Sequence, residues 1–167
     1  MSAILRRVEQ LERCCGLQAG ALPRVETAFP LKVPARFARR MGGGADDPLL
    51  RQVLPVEAEN RPAPGFSEDA VGDGAARRTP MLLHKYHGRA LVMLSPRCHI
   101  HCRFCFRRHY PYEETLGEDA WQATLDYLRR HEEIHEVILS GGDPFTLSEP
   151  QLTARCRDLE QIEHLRT

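Results

Sequence analysis

The sequence predicts an α/β fold in two parts. Residues 1–79 form a helical and extended N-terminal segment, and residues 80–167 hold the first βα units of a parallel barrel or open sheet. Two observations predict this. Past Thr79, two apolar runs of strand length, 89–94 and 136–139, each lead into a loop and then a helical pattern. Before Thr79, proline and glycine interrupt the chain too often for long elements.

From the N-terminus, Ile4, Leu5, Val8 and Leu11 fall at helical spacing and predict an amphipathic helix over residues 3–13, ending before Gly16. Pro23, Pro30, Pro34, the run Gly42 to Gly44, Pro48, Pro55, Pro62, Pro64 and Gly65 then punctuate the chain. Short helices fit at 34–41 and 47–54, the second capped by Asp46 or Asp47 ahead of Pro48. Residues 56–79 are rich in Pro, Gly, Asp and Glu and read as an extended connector along the surface. The run Arg89-Ala-Leu-Val-Met-Leu94 is the first strand. A helix over 118–131 sets Trp121, Leu125 and Leu128 on one face, a second strand covers 136–139, and a last helix over 148–161 has Ser148 as its cap. In such folds active sites gather on loops at the carboxyl ends of the strands. Residues 165–167 read as the approach to a third strand. Two βα units cannot close a barrel, so the chain is expected to be the first part of a longer enzyme.

Composition narrows the class. Hydrophobic residues make up 42% and charged residues 28% of the 167, ordinary values for a domain with its own core. The 23 basic residues balance the 23 acidic ones, and the locally basic runs 36–40 and 103–108 do not make the chain-wide footprint of a nucleic-acid binder. No apolar stretch reaches the roughly 18 residues of a membrane span. The N-terminal residues carry charges through their apolar positions, unlike a signal peptide. A cytoplasmic protein is expected, and there close cysteine spacing points to metal rather than disulfides. Cys14, Cys15 and Cys156 stand on helical patterns and read as small, partly buried hydrophobes.

The run Cys98-His-Ile-His-Cys102-Arg-Phe-Cys105 places three thiols in one loop directly after the first strand. Three thiolates on a four-iron cubane leave one iron open to a ligand; a zinc ion completed by His99, His101 or His109 is the other possibility. After the second strand, Ser140-Gly141-Gly142-Asp143 lets a ligand approach the backbone closely and offers a carboxylate to an ammonium group. An ordinary βα turn capped by aspartate uses the same residues. Phe104 suits either the face of a flat ligand or a core.

Together, the two loops one βα unit apart resemble the radical S-adenosylmethionine (SAM) superfamily. The resemblance implies a [4Fe–4S] cluster held by Cys98, Cys102 and Cys105. The open iron would chelate SAM, with Phe104 beside the adenine and Gly141, Gly142 and Asp143 at the amino group. The runs Asp47-Pro-Leu-Leu-Arg-Gln-Val-Leu-Pro55, Pro64-Gly-Phe-Ser-Glu-Asp69, Leu83-His-Lys-Tyr-His-Gly-Arg-Ala90 and Cys102-Arg-Phe-Cys-Phe-Arg-Arg-His-Tyr-Pro-Tyr112 are similar to the lysine 2,3-aminomutase family. Its branch serving β-lysylation of translation elongation factor P is the nearest match. The similarity spans nearly the whole chain and about the first half of such a protein.

That similarity implies a partial TIM-like radical SAM barrel and an isomerase that moves the amino group of lysine from carbon 2 to carbon 3. It also implies pyridoxal 5′-phosphate (PLP) as the carrier of lysine, with Lys85, Tyr86 and Arg89 near it, and Arg107 on the substrate carboxylate. Guanidinium and ammonium groups suit carboxylate and phosphate, although Arg107 and Arg108 also read as a solvated basic pair. The Schiff-base lysine falls in the second half of the family's chain, so these 167 residues alone are expected not to turn over lysine. The implied product, (R)-β-lysine, goes to a ligase acting on elongation factor P. A lysine aminomutase supplying free β-lysine and a non-catalytic zinc module are the alternatives.

Overall fold

The computed structural model describes residues 3–42, 44–115 and 117–167, so Gly43 of the predicted glycine break lies outside the described residues. The chain forms two compact units: Met1–Phe66 with His99–Arg108, and Ser67–Cys98 with His109–Thr167.

In the first unit, strand β1 (Ile4–Leu5) is followed by helix α1 (Val8–Cys15), strand β2 (Val33–Pro34) and the single-turn helices α2 (Ala35–Ala38) and α3 (Pro48–Arg51). The helix predicted from residue 3 begins only at Val8, because Ile4 and Leu5 pair antiparallel with Pro34 and Val33 instead. It runs on to Cys15 and ends at Gly16, whose φ of 70° is a left-handed conformation that glycine adopts without strain. The helices expected at 34–41 and 47–54 contract to one turn each. Asp47 caps the second, its Oδ1 accepting from Leu49 N at 2.8 Å and Leu50 N at 3.0 Å. Leu11, Leu22, Leu31, Val33, Ala38, Leu50 and Val53 make the core, and Cys14 and Cys15 pack against it as small hydrophobes. Each such leucine contributes on the order of 2 kcal/mol by leaving water.

Glu12 is a buried charge of this unit, at 1% exposure. Its Oε1 accepts from Gly20 N and Leu22 N, both at 3.0 Å, and Arg24 Nη2 lies 3.6 Å from Oε2. The Leu22 bond, the Gly20 bond and the Arg24 charge together outweigh burial and hold the carboxyl below its ordinary value. The unfolded chain therefore takes up a proton at higher pH than the folded one. The stability Glu12 contributes is complete above the ordinary carboxylate range and is lost as pH falls through the lowered folded value. Urea unfolding followed from about pH 7 to about pH 3 should show this loss. Glu12→Gln should flatten that acid slope.

The second unit contains helix α4 (Asp73–Ala76), strands β3 (Arg77–Thr79), β4 (Leu82–Tyr86) and β5 (Arg89–Ser95), helix α5 (Glu118–Arg130), strand β6 (Glu136–Gly141) and helix α6 (Glu149–Glu160). The sheet order is β3-β4-β5-β6, with β5 and β6 parallel and the other neighbours antiparallel. The chain is thus α/β, with one βαβ unit in which α5 is the crossover. Two differences from the sequence reading stand out. Strand β4 runs into the His-Lys-Tyr-His stretch and hairpins onto β5 through Gly88 at φ 79°, so this side of the sheet is not parallel. Residues 67–79 also join the second unit, not the N-terminal segment. Ala76 is buried there, β3 pairs with β4, and the hydroxyls of Thr79 and Thr124 meet at 2.9 Å.

Ala90, Val92 and Leu94 alternate along β5 and pack with Trp121, Leu125 and Leu128 of α5 and with Ile134 and Ile162. Trp121 Nε1 donates to Asp158 Oδ2 at 2.8 Å, tying α5 to α6, and Cys156 is half-buried as expected. Along the outer edge of β6, Val137 N donates to Thr167 O at 2.7 Å. Among the described residues no helix is long and apolar enough to cross a membrane.

Candidate functional site

The cysteine loop leaves the carboxyl end of β5, and the Gly-Gly-Asp loop leaves the carboxyl end of its parallel neighbour β6. Both sit where strand-end loops of an α/β sheet gather functional groups. Backbone bonds continue the β5–β6 pairing past the strand ends. Gly142 N donates to Ser95 O and Asp143 N to Arg97 O, each at 2.6 Å. Ser95 Oγ accepts from Arg97 N at 3.1 Å and bonds Thr146 Oγ1 at 2.6 Å.

The glycines are needed for this approach. Gly141 has φ 122°, and a Cβ there would overlap the Ser95 carbonyl oxygen. A Cβ on Gly142 would overlap the Arg97 carbonyl and come within 3.0 Å of Cys98 Sγ. The missing side chains first admit the chain's own cysteine loop. Asp143 takes the position of a capping aspartate, its Oδ1 accepting from Phe145 N at 3.0 Å. Phe145, two residues on, is 77% exposed; its sequence context does not single it out.

Cys98 belongs to the second unit; Cys102 and Cys105 belong to the first. Cys102 and Cys105 bracket a tight turn in which Cys105 N donates to Cys102 O at 3.1 Å. No disulfide joins any cysteine among the described residues. Burial, with the neighbouring Cys105 thiol adding to it, pushes the Cys102 thiol up, so it is not an activated nucleophile by itself. A site that binds metal must supply the charge that deprotonates it.

The first unit holds this turn through a network that sequence reasoning missed. Arg103 follows Cys102, and its side chain is 6% exposed. Its Nε donates to Glu59 Oε1 at 3.0 Å, its Nη2 to Glu59 Oε2, and its Nη1 to Phe29 O at 3.0 Å. Arg108, on the other side of Cys105, donates to Glu59 Oε2 at 2.8 Å and to Arg103 O. Both guanidiniums also lie over the Phe29 ring, 5.2 and 5.4 Å from its centre. Burial pushes the Glu59 carboxyl up, but the Arg103, Val56 and Arg108 hydrogen bonds prevail and hold it low. His101 stacks on Phe29 at 4.4 Å and its Nδ1 meets Pro30 O at 2.9 Å. The solvated-pair reading of the arginines fails for Arg108, and Arg107 lies over the Phe106 ring at 4.6 Å. Phe104 is 77% exposed and is no core residue.

Lys85, Tyr86 and Arg89 lie at the other end of β5, around its hairpin. Lys85 Nζ donates to Val71 O, and Arg89 Nε pairs with Glu136 Oε2 at 3.0 Å. Both side chains are exposed, and an ammonium or guanidinium keeps further N–H donors after one such bond, so an anion can still be taken. The six steps from Arg89 to Ser95 span about 20 Å. The structure therefore does not bring this group together with the strand-end loops.

Residues 92–166 match the family model of the Radical SAM superfamily. These residues form a Radical SAM region, and the chain is a homologue of the L-lysine 2,3-aminomutases over their N-terminal part. It is 46% identical to the L-lysine 2,3-aminomutase of Escherichia coli (strain K12) over 140 residues, covering 83% of this chain and 41% of that protein. Identity is 43% to the enzyme of Haemophilus influenzae, covering 82% of this chain and 41% of that protein. It is 29% to that of Acetoanaerobium sticklandii, covering 72% of this chain and 30% of that protein. The chain therefore spans about 41% of the length of the first two relatives.

Proposed function

We propose that this chain is the cluster-bearing part of a lysine 2,3-aminomutase that makes (R)-β-lysine in the cytoplasm for β-lysylation of translation elongation factor P. The observation that carries the reading is the joining of the strand-end loops, in which Gly142 packs on Cys98 Sγ and Asp143 bonds back to Arg97. The donor chemistry fits the groups the family uses. Cys98, Cys102 and Cys105 would hold a [4Fe–4S] cluster, and Gly141, Gly142, Asp143 and Phe104 would hold SAM. Lys85, Tyr86 and Arg89 would meet the phosphate side of PLP, and Arg107 the carboxylate of lysine. The βαβ unit would then open a TIM-like barrel.

When bound, these groups supply one-electron cleavage of SAM and a carrier for the migrating amino group. The protein's own residues orient. Three cysteines in one loop give a fourth coordination position to a ligand. The Gly141–Gly142 backbone allows close approach, and Arg107 offers a fork for a carboxylate.

The test combines three assays on anaerobically reconstituted protein. With reductant and SAM, the chain should release methionine and 5′-deoxyadenosine. NMR should show no conversion of lysine by these 167 residues alone, since the Schiff-base lysine is expected in the second half of the family's chain. Completed with that half, lysine should become (R)-β-lysine, and elongation factor P with its ligase should take up the product. Intact SAM would overturn the reading, and β-lysine that the ligase refuses would favour a free-β-lysine pathway.

A further inference from the structure

A cluster of metal-ligating side chains sits in the second unit, on elements other than the cysteine and glycine loops. His84 comes from β4, His131 from the end of α5, and Glu133 from the turn before β6. One ligand atom of each lies within 4.8 Å of the other two. The imidazole rings of His84 and His131 meet edge to face at 6.0 Å, and Tyr127 stacks on His131 at 4.0 Å. The Tyr127 hydroxyl is 3.0 Å from His84 Nδ1, and His131 Nδ1 is 2.9 Å from Glu133 Oε1.

We propose that His84, His131 and Glu133 form a binding site for a borderline divalent cation of the Zn2+ class, with water in a fourth position. Two imidazoles and one carboxylate are the donor set of three-ligand zinc sites, and a single oxygen donor is too few for Ca2+ or Mg2+. Bonds of about 2.0–2.1 Å set tetrahedral donors about 3.4 Å apart, so the present spacing must close by roughly an ångström. The His131 and Glu133 side chains, 36% and 42% exposed, have room to make that movement. One ligand is already oriented. A ligating histidine ordinarily gives its second ring nitrogen to a hydrogen-bond partner. Tyr127 does this for His84 Nδ1, which leaves Nε2 for the metal. Glu133, itself a ligand, would exchange its bond to His131 Nδ1 for the metal. An ion here would clip β4, the strand carrying Lys85 and Tyr86, to the end of α5. The inference rests on these side chains alone and stands whether or not the aminomutase reading holds.

Co2+ titration of the metal-free chain tests it, because thiolate and imidazole sites differ in spectrum. Cobalt on the cysteine loop gives sulfur-to-metal charge transfer; cobalt here gives visible ligand-field bands without it. The thiolate-free bands should vanish in His131→Ala and persist when Cys98, Cys102 and Cys105 are all replaced by serine. Tyr127→Phe and Glu133→Gln, which spare the core, should weaken cobalt binding by about tenfold or more. With the three cysteines replaced by serine, Zn2+ should raise the thermal midpoint, and adding His131→Ala should abolish that rise. Absence of thiolate-free bands in the wild type, or bands unchanged in His131→Ala and Glu133→Gln, would overturn the proposal.

Discussion

Replacing Gly142 by alanine should strip iron from the reconstituted protein while leaving most of its α/β unit folded. The added Cβ would overlap the Arg97 carbonyl, which is backbone and cannot swing aside, and sit 3.0 Å from Cys98 Sγ. The β5–β6 loops would have to part, losing the bonds from Gly142 N to Ser95 O and Asp143 N to Arg97 O. Overpacking of this kind costs about 1–3 kcal/mol. A unit held by Trp121, Leu125 and Leu128 under its sheet can absorb that much. Cys98 cannot keep its place, and two thiolates alone do not hold a cubane. Gly42→Ala is the control, since a Cβ there meets nothing within 4 Å. The measurement is iron per chain alongside the thermal midpoint of both variants. Full iron in Gly142→Ala would show that this contact does not position Cys98.

Glu59→Ala should have the larger effect on stability. Its carboxylate is the shared partner of Arg103 and Arg108, the arginines on either side of Cys105, and the Arg103–Glu59 pair is 6% and 11% exposed. Removing one side of a buried pair leaves an uncompensated charge and costs about 3–5 kcal/mol. The backbone carbonyls of Phe29 and Arg103 still accept from these guanidiniums, so the lower end applies. The expected readouts are a lowered urea midpoint and faster loss of iron to a chelator. Glu59→Asp should recover part of both, because the charge remains while the bidentate reach shortens. If Glu59→Ala loses stability and retains iron at the wild-type rate, the network is structural and does not hold the cysteine turn.

The chemistry of the strand-end loops was legible because it lies in local spacing. Cys98, Cys102 and Cys105 declare themselves within one loop, as does Gly141-Gly142-Asp143. Strands β5 and β6 were legible as compact apolar runs, α5 from its one-sided apolar face and α6 from the Ser148 cap. What escaped was long-range. Ile4 and Leu5 fit a helix until Val33 and Pro34 offer them a strand partner. Strand β4 has only Leu82 and Leu83 as buried apolar residues before His84, Lys85 and Tyr86, too short an alternation to register. Glu59 stands 44 residues from Arg103 in a proline-rich stretch. Its one local signal is the bond from Val56 N to Glu59 Oε1, the habit of an acid closing a turn. The buried pairing that gives Glu59 its weight appears only in the fold.

The central claim is that the three cysteines hold a cluster with one iron open to SAM. EPR of the anaerobically reconstituted, reduced chain tests it most directly, recorded with and without SAM and repeated on Cys102→Ser. The expected result is a [4Fe–4S]+ signal that shifts when SAM is added and is absent from the variant. A colourless chain holding one zinc and no iron, or a cluster signal that SAM leaves unchanged, would contradict it.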